Sequence, residues 1–193
     1  MKNQYEHQPM GARFKYLLEV ISCARFLEKQ GLGNEIPFYI CPFDPAETAE
    51  MYKTIENLVK QLQLKDIPVL HLNLYDTCIE ILKREDDWDK MILKEPELSE
   101  SQLLELLQGV LDTEKYLVPA IEEKMKKERK EKDFRVMFLS GVGEVFPFVR
   151  SHNVLNNLQL IPHTVPTVLF FPGAYTHSPA TGASLSLFNE FHN

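Results

Sequence analysis

Residues 139–159 read LSGVGEVFPFVRSHNVLNNLQ, where an apolar run from Phe134 to Leu139 enters a Gly-x-Gly turn at Gly141 and Gly143. A strand, a glycine turn and a following helix are how α/β nucleotide-binding domains seat a phosphate on a helix N-terminus. A phosphate loop proper is longer and ends in Gly-Lys-Ser or Gly-Lys-Thr, so that the lysine and hydroxyl reach the phosphates and Mg²⁺. Here no lysine follows, Glu144 would repel a phosphate, and the place of a third glycine is held by Phe146 and then Pro147. The turn is therefore a degenerate form of such a loop. Its spacing predicts that Gly141 and Gly143 serve a sharp reversal and that Pro147 starts a helix.

Three carboxylates, Asp44, Asp76 and Glu144, are hard oxygen ligands of the kind that hold a divalent cation. The competing reading makes Asp44 and Asp76 helix caps and lets Glu144 favour a helix N-terminus through the dipole. Histidines 71, 152, 163 and 177 show no ligand-pair spacing, and His71, inside an apolar run, reads as hydrogen-bonded and half-buried. No G-x-S-x-G elbow is present to anchor a hydrolase triad. Arg150, Ser151, His152, Asn153, Asn156 and Asn157 form a dense polar set after the glycine turn. They suit hydrogen bonds to a partner, or equally an exposed helix face that caps its own backbone.

The elements that would position these residues follow from periodicity. Residues 11–29 carry Phe14, Leu17, Leu18, Ile21 and Leu27 at helical spacing, with Gly31 as a stop. The strand IPFYIC (36–41) leads to Asp44, Pro45 and Glu47, which suit a capped helix start. Met51, Ile55, Leu58, Val59 and Leu62 then form a buried stripe. PVLHLNL (68–74) is a second strand, followed by a helix from about Tyr75. Ser99 and Gln102 form a capping box ahead of QLLELLQGVL, and a charged helix runs from about Thr113 to Lys130. FRVMFLS (134–140) and PTVLFFP (166–172) are the third and fourth strands, and LSLF (185–188) is a short fifth.

Strands apolar at nearly every position and separated by helices imply a parallel sheet covered on both faces. The expected fold is α/β and three-layered, with a mostly parallel sheet of four to five strands in a single domain over 1–193. Residues 84–133 form a charged helical insertion. In such a sheet the C-terminal strand ends share one rim, where ligands of this fold class bind. That rim should present Asp44, Asp76, Ser140, the glycine turn with Glu144, and a PGAY turn carrying Tyr175.

Composition bounds the rest. The chain has 193 residues, 44% hydrophobic and 25% charged, which is ordinary for a globular protein. It lacks an apolar run long enough to span a bilayer and a signal-peptide pattern at its start, so a cytoplasmic protein is expected. Three scattered cysteines argue against a disulfide framework and a zinc site. Between Glu80 and Glu114 eleven acids face four bases, so this segment alone carries the whole chain's net charge of −7. The run 122–135 mixes seven bases with five acids, which describes a solvated helix face better than a nucleic-acid groove.

Three blocks, FLEKQGLGNEIPFYICPFDP (26–45), LSGVGEVFPFVRSHNVLNNLQ (139–159) and PTVLFFPGAY (166–175), resemble the BrxB family. Its members are small components of BREX (bacteriophage exclusion) anti-phage systems. The resemblance implies a non-catalytic component of a machine that also holds a DNA methyltransferase, a large ATPase and a PglZ-type protein of the alkaline-phosphatase superfamily. Association with the PglZ-type subunit is the implied role, without cofactor. In the family an aromatic, arginine-containing tail is expected after LSLF, where this sequence ends in NEFHN. The rival readings are a nucleotide-binding or metal-dependent enzyme or nuclease subunit working at the rim, and direct DNA binding through 122–135.

Overall fold

Strand side chains that alternate between two apolar faces organise the molecule. A computed structural model describes residues 8–28, 38–84, 88–150, 153–154, 156–157, 165–178, 182–188 and 191–192. The chain begins with α1 (Met10–Ser22) and α2 (Ala24–Leu27), then β1 (Phe38–Phe43), a 3-10 turn (Pro45–Glu47) and α3 (Thr48–Gln63). Next come β2 (Val69–Asn73) and α4 (Leu74–Arg84). The helical segment continues with α5 (Trp88–Lys94), a 3-10 turn (Glu95–Glu97), α6 (Glu100–Val110), a π-helical turn (Thr113–Leu117) and α7 (Val118–Glu131). β3 (Val136–Ser140), β4 (Thr167–Ser178), β5 (Gly182–Leu187) and β6 (Phe191–His192) complete it.

β1, β4, β3 and β2 lie side by side in that order, all parallel. β5 and β6 add antiparallel pairs beyond them. Along β3, Val136 and Phe138 point to one face, and Met137 and Leu139 to the other. The first face is covered by α1, α2 and α3. On α3 the stripe Met51, Ile55, Leu58 and Leu62 is at most 1% exposed, each side chain contributing about 1.5–3 kcal/mol by burial. Across the sheet, Phe138 and Phe170 meet edge to face with ring centroids 5.2 Å apart. The second face is covered by α4, through Leu74, Cys78, Ile81 and Leu82, and by α7, through Ala120, Ile121 and Met125. The α/β, three-layer arrangement with a mostly parallel sheet is thus what the sequence leads one to expect.

Three local expectations are corrected. The first helix breaks at Cys23, whose extended backbone separates α1 from α2. No helix starts at Pro147: residues 142–148 form successive turns. The segment instead turns repeatedly so that Val142, Val145 and Val149 all enter the core, with Phe146 and Phe148 packed against it. The fourth strand does not end at Pro172 but runs on to Ser178, pairing with β5 from Gly173↔Leu187 to Ser178↔Gly182. β3 leaves β4 after Leu169, so Pro172 stands where β4 is no longer flanked by β3.

Candidate functional site

Because β1, β2 and β3 are parallel, their C-terminal ends deliver Asp44, Asn73 and the Ser140–Glu144 turn to one rim. Between this turn and the start of α3 lies a cavity of about 120 Å³, bordered by Thr48, Tyr52, Ser140, Gly141, Glu144 and Phe188. Nucleotide-sized ligands fill sites of about 300–1,000 Å³, so the cavity is small for one.

The rim's polar groups are largely used on one another. Asp44 is exposed, and its Oδ1 accepts from the Ala46 N–H at 2.9 Å, capping the short turn that precedes α3. The cap of α4 is not Asp76 but Asn73. Its Oδ1 accepts from the Tyr75 N–H at 2.8 Å, and its carbonyl accepts from the Thr77 hydroxyl at 2.8 Å. Asp76 sits exposed in the first turn of α4, where a negative charge favours the helix dipole. Gly141 has φ +81°, and a Cβ there would come within 2.3 Å of Asn73 Oδ1. A glycine at this position lets the turn close over the cap. A Cβ on Gly143 would lie 2.8 Å from the Phe188 ring, so its role is close packing.

Tyr52 of α3 joins these parts. Its phenol interacts with the Glu144 carboxylate, the Asn73 side chain and the Gly141 backbone. Burial, then the hydrogen bond and charge of Glu144, hold the phenol far above its ordinary pKa, against a smaller lowering by Asn73 and Gly141. Beneath the rim, His71 Nε2 and Ser140 Oγ lie 2.8 Å apart. Burial lowers the His71 pKa, while the charges of Asp76 and Glu56 oppose the shift. His71 is the half-buried, hydrogen-bonded histidine the strand pattern implies.

Gly141, Gly143 and Glu144 meet at the cavity, whereas Asp44 and Asp76 do not border it. Among the described residues no group of three or more His, Cys, Asp or Glu side chains is placed to hold a metal ion. Arg150 is exposed and its carbonyl accepts from the Asn153 and Val154 N–H groups. The Asn157 amide donates to the Asn153 carbonyl at 2.9 Å, the self-capping alternative for that pair. His152 lies outside the described residues. Tyr175 is half-buried within β4, opposite Leu185, and not in a rim turn. Tyr52 and Asn73 are the rim residues that sequence reasoning missed. Asn73 carried a usable signal: Asn-Leu-Tyr-Asp has the spacing of a capping residue and an acid three positions on.

Among the described residues no helix is long and apolar enough to cross a membrane. The family described as BREX protein BrxB matches residues 70–193 of the chain. The sequence is 35% identical over 184 residues to a BREX protein BrxB of Bacillus cereus (strain H3081.97), covering 92% of this chain and 89% of that protein. It is 28% identical over 152 residues to a BREX protein BrxB of Escherichia coli O9:H4 (strain HS), covering 79% and 73%. No solved structure matches.

Proposed function

The chain belongs to the BrxB family of the BREX defence system, and from that premise we propose that it is a non-catalytic adaptor that binds the PglZ-type subunit. The observation that carries the reading is the closed hydrogen bonding of the rim. Asp44 and Asn73 cap the chain's own backbone, and Glu144 is engaged by Tyr52. A site for metal or phosphate chemistry would keep such groups converging on open space. Ser140 and His71 have the separation of a nucleophile and a base, but Ser140 is 1% exposed. We read them as a buried polar pair that satisfies itself.

The test is size-exclusion chromatography with light scattering on the chain mixed with the PglZ-type protein of its own system. A co-eluting complex of defined stoichiometry is expected, and Asp44→Ala or Asp76→Ala should leave both the complex and phage restriction intact. Separate elution at micromolar concentration would overturn the proposal. So would loss of restriction in a folded, complex-forming Asp44→Ala or Asp76→Ala protein, which would return the rim to catalysis. Contacts with the large ATPase or the methyltransferase would follow from the same scaffold role.

A further inference from the structure

On the α4 side of the sheet a second hollow opens, an apolar groove of about 220 Å³. Ile79, Trp88, Ile92, Leu103, Leu107 and Phe148 contribute to its walls. The helices that build it are under-buried. α6 carries four leucines yet buries no residue, while Ile92 and Leu93 of α5 are 49% and 75% exposed. Of the seven large apolar side chains exposed among the described residues, Tyr75 and Ile92 line the groove, and Leu93 and Leu106 lie on its helices α5 and α6. The helix α6 is nevertheless firmly started, since Ser99 and Gln102 cap one another's backbone reciprocally. An amphipathic helix held by its caps, with its apolar stripe half in water, has the form of one wall of a docking groove.

Charge states what would fill it. Glu95 and Glu144 border the groove, and Glu97, Glu100 and Glu105 are exposed on the adjoining turn and α6, which carries no base. Of the nearby cations, Arg84 is paired with Glu123 at 2.7 Å, while Lys83 lies over the Trp88 ring, 5.8 Å from its centroid. Lys94 is exposed beside Glu95, so the acids around the groove still outnumber the bases. An acidic border repels nucleic acid and attracts a basic protein segment. The base-rich helix of a second copy does not fit, because the apolar residues of α7 are already buried in its own core. The hollow is also small and open beside the ~300–1,000 Å³ of a small-molecule site. We infer that this groove receives an amphipathic helix of a protein partner, apolar along one stripe and bearing Lys or Arg beside it. The inference deepens the adaptor reading and rests on it for the existence of a partner.

Trp88 is the chain's single tryptophan, so its fluorescence reports on the groove directly. The test titrates the full chain with a helical Leu/Lys amphipathic peptide and with its Leu/Glu counterpart of the same apolar stripe. A saturable change in Trp88 emission with the Leu/Lys peptide alone is expected, weakening with added salt. Ile92→Lys, or Glu95→Lys with Glu105→Lys, should weaken it about tenfold or more. No saturable response, an equal response to both peptides, or full affinity in folded variants would overturn the assignment. With the PglZ-type subunit, Ile92→Lys should abolish co-elution while Leu64→Lys, on an exposed side chain at the end of α3, preserves it. A complex that survives Ile92→Lys overturns the groove and leaves the adaptor reading standing. Absence of a wild-type complex overturns the adaptor reading, and the peptide titration then decides the groove. Self-association lost on Ile92→Lys would assign the face to a second copy and overturn the inference as well.

Discussion

Arg13 is wholly enclosed on the buried face of α1, and one of its terminal nitrogens donates to the Glu47 carboxylate. Nε and Nη1 have no hydrogen-bond partner among the described residues. A buried charge held through one side gains little over an apolar side chain of similar length, but it is costly to leave alone. Arg13→Met should therefore be neutral or stabilising. Glu47→Ala should cost about 1–3 kcal/mol, below the usual penalty for breaking a buried pair because this carboxylate keeps some water. Denaturant unfolding of both variants checks the asymmetry. His71 gives a second expectation. Its folded pKa lies below the ordinary value of about 6.5, so the unfolded chain takes up the proton first as pH falls. The stability linked to it is complete above that value and declines below it, until the folded pKa is reached. Between about pH 7.5 and about pH 5.5 the wild-type Tm should fall more steeply than that of His71→Gln.

At the level of elements, the glycine turn and the α4 cap are one unit. Gly141→Ala combines a left-handed backbone with a Cβ driven into Asn73 Oδ1, and should cost about 2–4 kcal/mol from strain and cap loss together. Asn73→Ala, which loses the cap and the hydrogen bond to Tyr52 but adds no strain, should cost about 1–2 kcal/mol. Thermal unfolding of the two separates these contributions. Elements whose cause is local were legible in the sequence. The α3 stripe needs only helical spacing, the Ser99 box only a cap and its reciprocal glutamine, and the strands only runs of apolar residues. What escaped depends on contacts between distant segments. Pro172-Gly173 reads as a turn, but with β3 gone, pairing with β1 up to Pro172 and with β5 from Gly173 keeps it in a strand. Asn73, Tyr52 and Glu144 lie on three separate elements, so their meeting at the rim has no signature within any one of them. Arg13 and Glu47 are 34 residues apart, and nothing near either one marks the partner.

The whole molecule has one apolar layer on each side of its sheet, and each layer contains one buried thiol. Cys41 lies with the α1–α3 layer and Cys78 with the α4–α7 layer, while Cys23 is exposed. Burial pushes the Cys78 thiol up to about 12, far from the thiolate that reacts with disulfide reagents. In the native protein Cys23 should be modified first. If both layers unfold as a single cooperative unit, Cys41 and Cys78 should become reactive at the same urea concentration. Labelling followed by mass spectrometry reads this directly, and separate midpoints would show that the two faces of the sheet unfold independently.

The central position of β4 also sets an order of events during synthesis. Among the described residues β1 has no neighbour in the sheet other than β4, and Ile40 pairs with Leu169, about 130 residues further along the chain. β2 can pair with β3 earlier, but that pair remains without β1 until β4 arrives to join them. At the usual elongation rate of 5–20 residues per second, β1 and the helices beside it wait roughly 6–25 s for their place. For that interval the ribosome carries an apolar, half-assembled sheet. Rare codons or pauses placed between β1 and β4 would lengthen this exposure, and the yield of native protein should fall with chaperone depletion more than its final stability suggests.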